Sequence, residues 1–381
     1  MLTHEVEGQP AVTLKADRAR VSIDSPQEDP MPLHRTFALA LGSVAASLAI
    51  AAGDAAPAKL AVEGTLPTLA GATEWINSAP LTPDSLRGKV VLVNVWTYSC
   101  INSLRPMPYL RAWADKYKDA GLVVVGVHSP EFEFEKRSTN VHWATKTYHV
   151  EFPVAVDSNF GVWRAFDNSA WPAFYFIDAQ GRIRHHAIGE GQYDKAEQVI
   201  QQLLAEAGRT GVPTGLVRPQ GQGVEAAAGD RPWRSQETYL GHARAEGFSS
   251  PGGAVRDRAH AYQGAKLGRI DRWALTGEWT VERERAVLAR PGGRIAYRFH
   301  ARDLHLVAGP ADEGKPVRFR VLVDGKPPLA DHGSDTDADG YGTLTGHRLY
   351  QLVSQAKGAA ERLFEIEFLD PGAQAYVFTF G

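Results

Sequence analysis

The sequence contains very little cysteine: Cys100 is the single one among 381 residues. One cysteine excludes an intramolecular disulfide and a four-cysteine zinc site. An excess of charge of either sign is also lacking, because 41 Lys and Arg are matched by 44 Asp and Glu, with no dense basic run. This balance gives no indication of a nucleic-acid partner. Hydrophobic residues make up 44%, enough to bury ordinary globular cores, and the length predicts two domains.

Long apolar runs are scarce as well. The run over residues 37–52 is 16 residues long, whereas a bilayer span needs about 20. A positive pair, His34 and Arg35, precedes this run, and Ala49-Ile50-Ala51 supplies a small-x-small cleavage pattern. We therefore expect residues 31–58 to be a signal peptide or signal anchor, and the protein to be periplasmic or secreted. An Ala-rich surface helix is the alternative. The polar residues 1–30 are predicted to be a disordered leader, or a leader added by a start codon set too early.

Strand-like and helix-like patterns alternate over residues 66–207, which we predict to be one domain. The predicted strands are 89–96, 122–128, 152–156, 173–177 and 182–188, and the predicted helices are 104–118, 134–148 and 193–207. Such alternation indicates an α/β sheet covered by helices on both faces.

The pattern changes after a Gly- and Pro-rich segment, residues 208–232, which is typical of a linker. From there to the end, residues 233–381, apolar and polar residues alternate in short runs without intervening helices. One such run is Phe364, Ile366 and Phe368 separated by acidic residues. Short strands of this kind predict an all-β sandwich or jelly roll.

Two features of the first domain carry chemistry. Cys100 lies between a buried strand and a helix N-terminus, where the helix dipole and unpaired amides favour the thiolate. Trp171-Pro172 comes just before the strand 173–177, and we predict a cis-proline loop that faces the cysteine and receives an extended substrate peptide. The alternatives are a buried core cysteine and an edge-strand proline.

Longer stretches around these features resemble a known family. They include GKVVLVNVWTYSCINS, VVVGVHSPEFEFE, WPAFYFIDAQGRIRHHAIGEGQY and the closing LDPGAQAYVFTFG. Together they resemble the soluble part of DipZ-type thiol:disulfide interchange proteins, which are relatives of TlpA-type periplasmic thioredoxins. The resemblance covers roughly residues 66–381. It implies a thioredoxin fold followed by a β-sandwich, activity on protein disulfides, and a membrane electron-delivery protein or an external thiol as partner.

The sequence departs from the family pattern at one decisive position. The family has Cys-Ile-Asn-Cys, whereas this chain has Cys100-Ile101-Asn102-Ser103. A second thiol normally releases the substrate from the mixed disulfide, and serine cannot do so. The chain is therefore either a natural monothiol form or a substrate trap. The predicted catalytic site comprises Cys100, Ser103, Pro172, Trp171, Trp96 and Glu131. Glu131 or Glu133 is a candidate carboxylate because Asn94 stands where thioredoxin has an acid; ordinary surface charge is the alternative.

The second domain offers weaker signals. Asp335, Asp337 and Asp339 have the spacing of a calcium loop, but Gly346 replaces the glutamate that an EF-hand requires, so a solvated acidic turn is the favoured alternative. No other cofactor is expected. Trp273, Trp279 and Tyr341 are candidates for stacking on a glycan, although such residues on strands are more often core. Besides the oxidoreductase, two other functions are considered. One is a binding protein that uses the redox fold for docking, and the other is a one-Cys peroxidase, disfavoured because Val93 replaces a required proline.

Overall fold

The computed structural model describes residues 59–229 and 234–381. The predicted leader and signal segment, residues 1–58, lie outside the described residues. Strands and helices alternate in the first half. In chain order they are β1 (Gly64–Thr65), β2 (Glu74–Ile76), β3 (Val90–Trp96), α1 (Ile101–Leu104), α2 (Met107–Tyr117), β4 (Leu122–His128), a 3-10 helix (Glu133–Lys136), α3 (Ser138–Thr147), β5 (Val154–Val156), α4 (Gly161–Ala165), β6 (Ala173–Ile177), β7 (Arg182–Ile188) and α5 (Tyr193–Glu206).

These strands form a mixed sheet in the order β1-β7-β6-β3-β4-β5-β2, with β3 at its centre. Strand β3 runs parallel to β4 and antiparallel to β6. Its side chains alternate between two cores: Leu92 and Trp96 lie on one face, and Val91, Val93 and Val95 lie on the other. Burial on both faces explains why the sequence of β3 is a continuous apolar run rather than an alternating one.

Two of the predicted helices begin later than expected. Helix α2 starts at Met107, because the short α1 ends first and Pro106, which has no amide hydrogen, opens the new helix. The predicted helix over residues 134–148 is wrong at its start. Arg137 has an extended backbone there, with φ −73° and ψ 116°, so a 3-10 turn precedes α3. Helix α4 was not predicted.

The second half is built of antiparallel strands. They are β8 (Thr238–Tyr239), β9 (Ala259–Tyr262), β10 (Arg272–Val281), β11 (Ala286–Leu288), β12 (Arg294–Ala301), β13 (Asp303–Pro310), β14 (Val317–Val323), β15 (Tyr341–Leu344), β16 (Arg348–Ser354), β17 (Ala360–Phe368) and β18 (Ala373–Phe380), with 3-10 turns at Gly223–Glu225 and Leu329–Asp331. One layer has the order β15-β14-β17-β12-β10, and the chain of strands continues through β11-β18-β13-β16 in the other. The apolar side chains of both layers form one core.

Strand β10 joins the two layers. Its first half pairs with β12 and its second half with β11. Between the halves, Gly277 has a φ of +100°, and a Cβ there would lie 3.0 Å from the Cα of Gly293. A residue with a side chain would be strained at this bend. The predicted fold class, an α/β thioredoxin fold followed by an all-β sandwich, is confirmed.

The two halves pack against each other. Phe132 and Phe134, which follow β4, lie 5.1 and 4.9 Å from the ring of Tyr376 in β18. The core of the first half also includes Val307 and Leu349 of the sandwich. This shared core places the sandwich directly beside the segment that borders the cysteine.

The segment predicted as a linker also makes specific contacts where the structure describes it, up to residue 229. Arg111 of α2 forms a bidentate ion pair with Glu225, with N–O distances of 2.6 and 2.8 Å. The amide of Val217 donates to Glu197 of α5 at 2.8 Å. In the part of the chain that the structure describes, no helix combines the length and apolarity needed to cross a membrane.

Candidate active site

Cys100 lies four residues beyond the end of β3 and occupies the N-cap position of α1, without a side-chain capping hydrogen bond. Strand β6 is the antiparallel neighbour of β3, with Ala173 opposite Val95. The loop before Ala173 therefore lies at the same edge of the sheet as Cys100. The Trp171–Pro172 peptide bond in this loop is cis, as the sequence predicted. The indole nitrogen of Trp171 donates to the carbonyl of Ser129 at 3.0 Å and so attaches the loop to the end of β4.

A buried carboxylate, Glu135, organises the loop that leads into Cys100. One oxygen of this side chain accepts hydrogen bonds from the hydroxyls of Thr97 and Ser99, both at 2.6 Å, and from the Ser99 amide at 3.2 Å. The other oxygen accepts the amides of Glu131 and Phe132 at 2.6 and 3.0 Å. Burial raises the pKa of Glu135 to about 7, although the hydrogen bonds from Ser99 and Thr97 oppose the rise.

Sequence analysis missed Glu135 and named its neighbours Glu131 and Glu133 instead. The three acids lie in one short segment, and composition alone does not say which of them points inward. The position of each acid in the 3-10 turn Glu133–Lys136 decides which one is buried. The turn carries Phe134 and Glu135 inward, while Glu133 stays exposed and pairs with Lys136. Recognising that turn requires knowing where the following helix starts.

The environment of the Cys100 thiol differs from the prediction. Only 7% of the residue is exposed. Burial raises the pKa of Cys100, and the carboxylates of Glu131 and Glu237 raise it further. Hydrogen bonds from the amide and hydroxyl of Ser103 favour the thiolate, but they are smaller effects. The predicted lowering by a helix N-terminus is therefore wrong, since α1 is a short, buried helix and desolvation dominates.

Glu131 connects the thiol region to the sandwich. Its carboxylate accepts a 2.6 Å hydrogen bond from the hydroxyl of Tyr239 and a 3.0 Å charged hydrogen bond from Arg244. The guanidinium of Arg244 also lies over the Tyr239 ring, 3.6 Å from its centre. Both partners belong to the second half of the chain, so Glu131 is not simple surface charge.

The remaining predicted residues fall into two groups. Ser103 is fully buried in contact with Cys100, at the position of the missing thiol. Trp96, in contrast, has no exposed surface and packs edge-on against His128, with ring centres 5.2 Å apart. The last residue of β3 therefore points into the core, and a role of Trp96 in the site stays a prediction. Asn94 donates to the carbonyl of Ala173 at 3.2 Å and so links β3 to the start of β6.

The acidic loop of the sandwich does not form a ligand shell. Asp335 is paired with Arg348 at 2.6 Å, and one oxygen of Asp337 accepts the amides of Asp339 and Tyr341. Within residues 59–229 and 234–381, no group of three or more His, Cys, Asp or Glu is placed to hold a metal ion. Calcium binding stays a prediction, and it would require Asp335 to leave Arg348.

Comparisons with known proteins agree with this geometry. Residues 61–186 match the AhpC/TSA family, and residues 235–381 match a family described as thioredoxin-like C-terminal domain. The thiol-disulfide oxidoreductase YkuV of Bacillus subtilis is 30% identical over 141 residues, which are 37% of this chain and 95% of YkuV. The chain belongs to the thioredoxin-like thiol-disulfide oxidoreductases.

Within these oxidoreductases, similarity to one group extends through both halves. Protein DipZ of Mycobacterium tuberculosis is 34% identical over 325 residues, 84% of this chain. The chain spans only 43% of the length of DipZ. Among solved structures, a thioredoxin-like protein in its oxidized form is 31% identical and covers 38% of this chain and 96% of its own, with a TM-score of 0.35. The predicted resemblance to the soluble part of DipZ is confirmed.

Proposed function

We propose that this protein is an extracytoplasmic thiol-disulfide oxidoreductase that attacks the disulfides of protein substrates through Cys100 alone. The observation that carries the proposal is the placement of Cys100 and the Trp171–Pro172 loop at one edge of the sheet, with Ser103 in contact with the sulfur. The loop gives an extended peptide a surface beside the thiol. Ser103 leaves the attack on a substrate possible and removes the internal route to release.

The reaction has two steps. The Cys100 thiolate attacks one sulfur of the substrate disulfide, and the other sulfur leaves as a thiolate that takes up a proton. An external thiol, or a thiol of a membrane electron-delivery protein, then attacks the substrate sulfur of the mixed disulfide. Its sulfur bonds to the substrate sulfur, the bond to Cys100 breaks, and Cys100 leaves as the thiolate. Because burial raises the pKa of Cys100, the first step is slow until substrate binding changes the surroundings of the sulfur.

The test is direct detection of the adduct. Reduced full-length protein is mixed with insulin, and mixed disulfides are scored on non-reducing gels and by intact mass. We expect an adduct that dithiothreitol removes and that Cys100→Ser abolishes. The absence of any adduct over hours, with Cys100 shown to be free by alkylation after unfolding, would contradict the proposal.

The extracytoplasmic location rests on the signal pattern in residues 31–58, which lies outside the described residues. The expected mature chain begins near residues 52–59. Mass spectrometry of the exported protein measures this start, and full-length protein confined to the cytosol would contradict it.

The burial and raised pKa of Cys100 also favour a second candidate, a binding protein in which the redox fold serves for docking. Its ligand would be a protein or a glycan bound by the sandwich. Trp273 and Trp279 are fully buried in the sandwich core, whereas 45% of Tyr341 is exposed. Tyr341 is therefore the aromatic residue of the three with a face available to a sugar ring. The two functions differ in the rate at which Cys100 reacts with iodoacetamide at pH 7. For a binding module this rate is slow with and without substrate, whereas for the oxidoreductase it rises when substrate binds.

A further inference from the structure

The sandwich contributes side chains to the surroundings of the thiol. Ser99, which precedes Cys100, is bonded through Glu135 to the backbone of Glu131. The Glu131 carboxylate is in turn bonded to Tyr239 of the sandwich. The Tyr239 hydroxyl also lies 3.4 Å from a carboxylate oxygen of Glu237, two residues earlier in the chain. These contacts bring two carboxylates, one from each half, to the neighbourhood of Cys100.

The two carboxylates are not equivalent. Glu131 has a cation of its own, since Arg244 donates to it at 3.0 Å. Glu237 forms no ion pair among the described residues, and its hydrogen bond with Tyr239 is long because that hydroxyl proton is directed to Glu131 at 2.6 Å. Desolvation raises the pKa of Glu237, and the neighbouring carboxylate of Glu131 raises it further. A carboxylate beside another acid gains by acquiring a positive partner.

Space for such a partner lies next to Glu237. This residue lines a pocket of about 440 Å³ in the sandwich, together with Glu246, Asp271, Arg269 and Arg272. The lining side chains carry both signs of charge, as suits a peptide side chain rather than a lipid. Within this lining, Glu237 is the acid that shares the Tyr239 hydroxyl with Glu131, the carboxylate in the segment bonded through Glu135 to Ser99.

We infer that the protein selects disulfides that carry positive charge beside the reacting sulfur, and that Glu237 is the specificity-determining residue for this charge. The inference rests on the proposed function of Cys100. A bound cation offsets the negative charge of the two carboxylates, which disfavours the Cys100 thiolate. A cationic substrate therefore favours the thiolate that attacks its disulfide. The Cys100 sulfur then bonds to the substrate sulfur, the S–S bond breaks, and the leaving thiolate is protonated.

The experiment compares three small disulfides of similar size at pH 7: cystamine, which is cationic, 2-hydroxyethyl disulfide, which is neutral, and 3,3′-dithiodipropionate, which is anionic. Formation of the Cys100 adduct in full-length protein is followed by intact mass. We expect cystamine to react roughly tenfold faster than dithiodipropionate, after correction for their intrinsic reactivities against a small thiol, and this ratio to fall as salt rises.

Glu237→Gln should bring the ratio of the cystamine rate to the dithiodipropionate rate close to the ratio measured for the small thiol. The matched control is Glu367→Gln on the outer face of β17, where the acid pairs with Arg294 instead; it should keep the wild-type ratio. Equal corrected rates for all three disulfides in the wild type, or a ratio that Glu237→Gln leaves unchanged, would overturn the inference while the proposed function stands. Failure of all three to react would instead contradict the proposed function.

Discussion

The carboxylate of Glu135 accepts a 2.6 Å hydrogen bond from the hydroxyl of Ser99, the residue that immediately precedes Cys100. The same carboxylate binds the amides of Glu131 and Phe132, which begin the segment that packs on the sandwich. One buried side chain therefore fixes both the entry to the thiol helix and the contact surface between the two halves.

Removal of the Glu135 carboxylate, which accepts these hydrogen bonds, should destabilise the protein. Glu135→Ala leaves the hydroxyls and amides of the two loops without a partner, and each unsatisfied buried donor costs about 1–3 kcal/mol. We expect a loss of about 3 kcal/mol or more in the free energy of unfolding, measured by urea denaturation at pH 7. Glu133→Ala, in the same segment but exposed, is the control and should change stability by less than about 0.5 kcal/mol. Equal effects of both variants would contradict the role of Glu135.

The titration of Glu135 makes its contribution to the free energy of unfolding depend on pH. The folded pKa of about 7 exceeds the usual value of 4.5, so the folded state binds a proton that the unfolded state releases between these values. The stabilisation is present at low pH and declines as pH rises from about 4.5 to 7. We expect the difference in unfolding free energy between wild type and Glu135→Ala to be larger at pH 5 than at pH 8. A difference that grows with pH would show that the pKa of the Glu135 carboxyl is not raised in the folded state.

Ser103→Cys should convert the protein into a dithiol enzyme. Ser103 contacts the Cys100 sulfur, so a thiol at this position attacks the mixed disulfide intramolecularly, with an effective concentration that can reach about 10⁵ M. We expect faster dithiothreitol-driven insulin reduction, and fewer trapped adducts on non-reducing gels. Ser103→Ala separates loss of the hydroxyl from gain of the thiol, and it should retain the adducts. Identical turnover for wild type, Ser103→Ala and Ser103→Cys would argue against a thioredoxin-type cycle.

The contact between the halves should control access to the thiol. Phe134 is buried and stacks on His347 at 5.0 Å, besides its contact with Tyr376. Phe134→Ala should cost about 3–5 kcal/mol and speed the alkylation of Cys100 by iodoacetamide under native conditions.

Phe248→Ala is the control for this variant. Phe248 packs on Trp273, 4.7 Å away, against the core of the sandwich. This change should lower stability without changing alkylation below the unfolding transition. If both variants expose Cys100 equally, global unfolding rather than the interface governs access.

Much of the fold follows from the sequence alone. The strands Leu122–His128, Ala173–Ile177 and Arg182–Ile188 have the predicted bounds, because β-branched apolar runs bounded by turn residues leave few alternatives. The short edge strands β1 and β2 were missed, since two or three residues carry no periodicity.

The site was less predictable than the fold. The position of Cys100 could be read from its place between strand and helix, but the charges that act on its thiol could not. Glu131 lies 31 positions further along the chain, and Glu237, in the sandwich, lies 137 positions further. The burial of Trp96 was not predictable for a related reason: proximity in sequence to the cysteine does not determine which face of the sheet a strand's last side chain occupies.

Phe132 and Phe134 lie side by side, with stacked rings 5.6 Å apart, beneath the aromatic residues of the sandwich. A chain cut within residues 208–229 would therefore display two adjacent aromatic rings to water. Adjacent exposed rings of this kind promote self-association. Without the sandwich, the first half would need a compensating change at this surface to keep these two rings out of water.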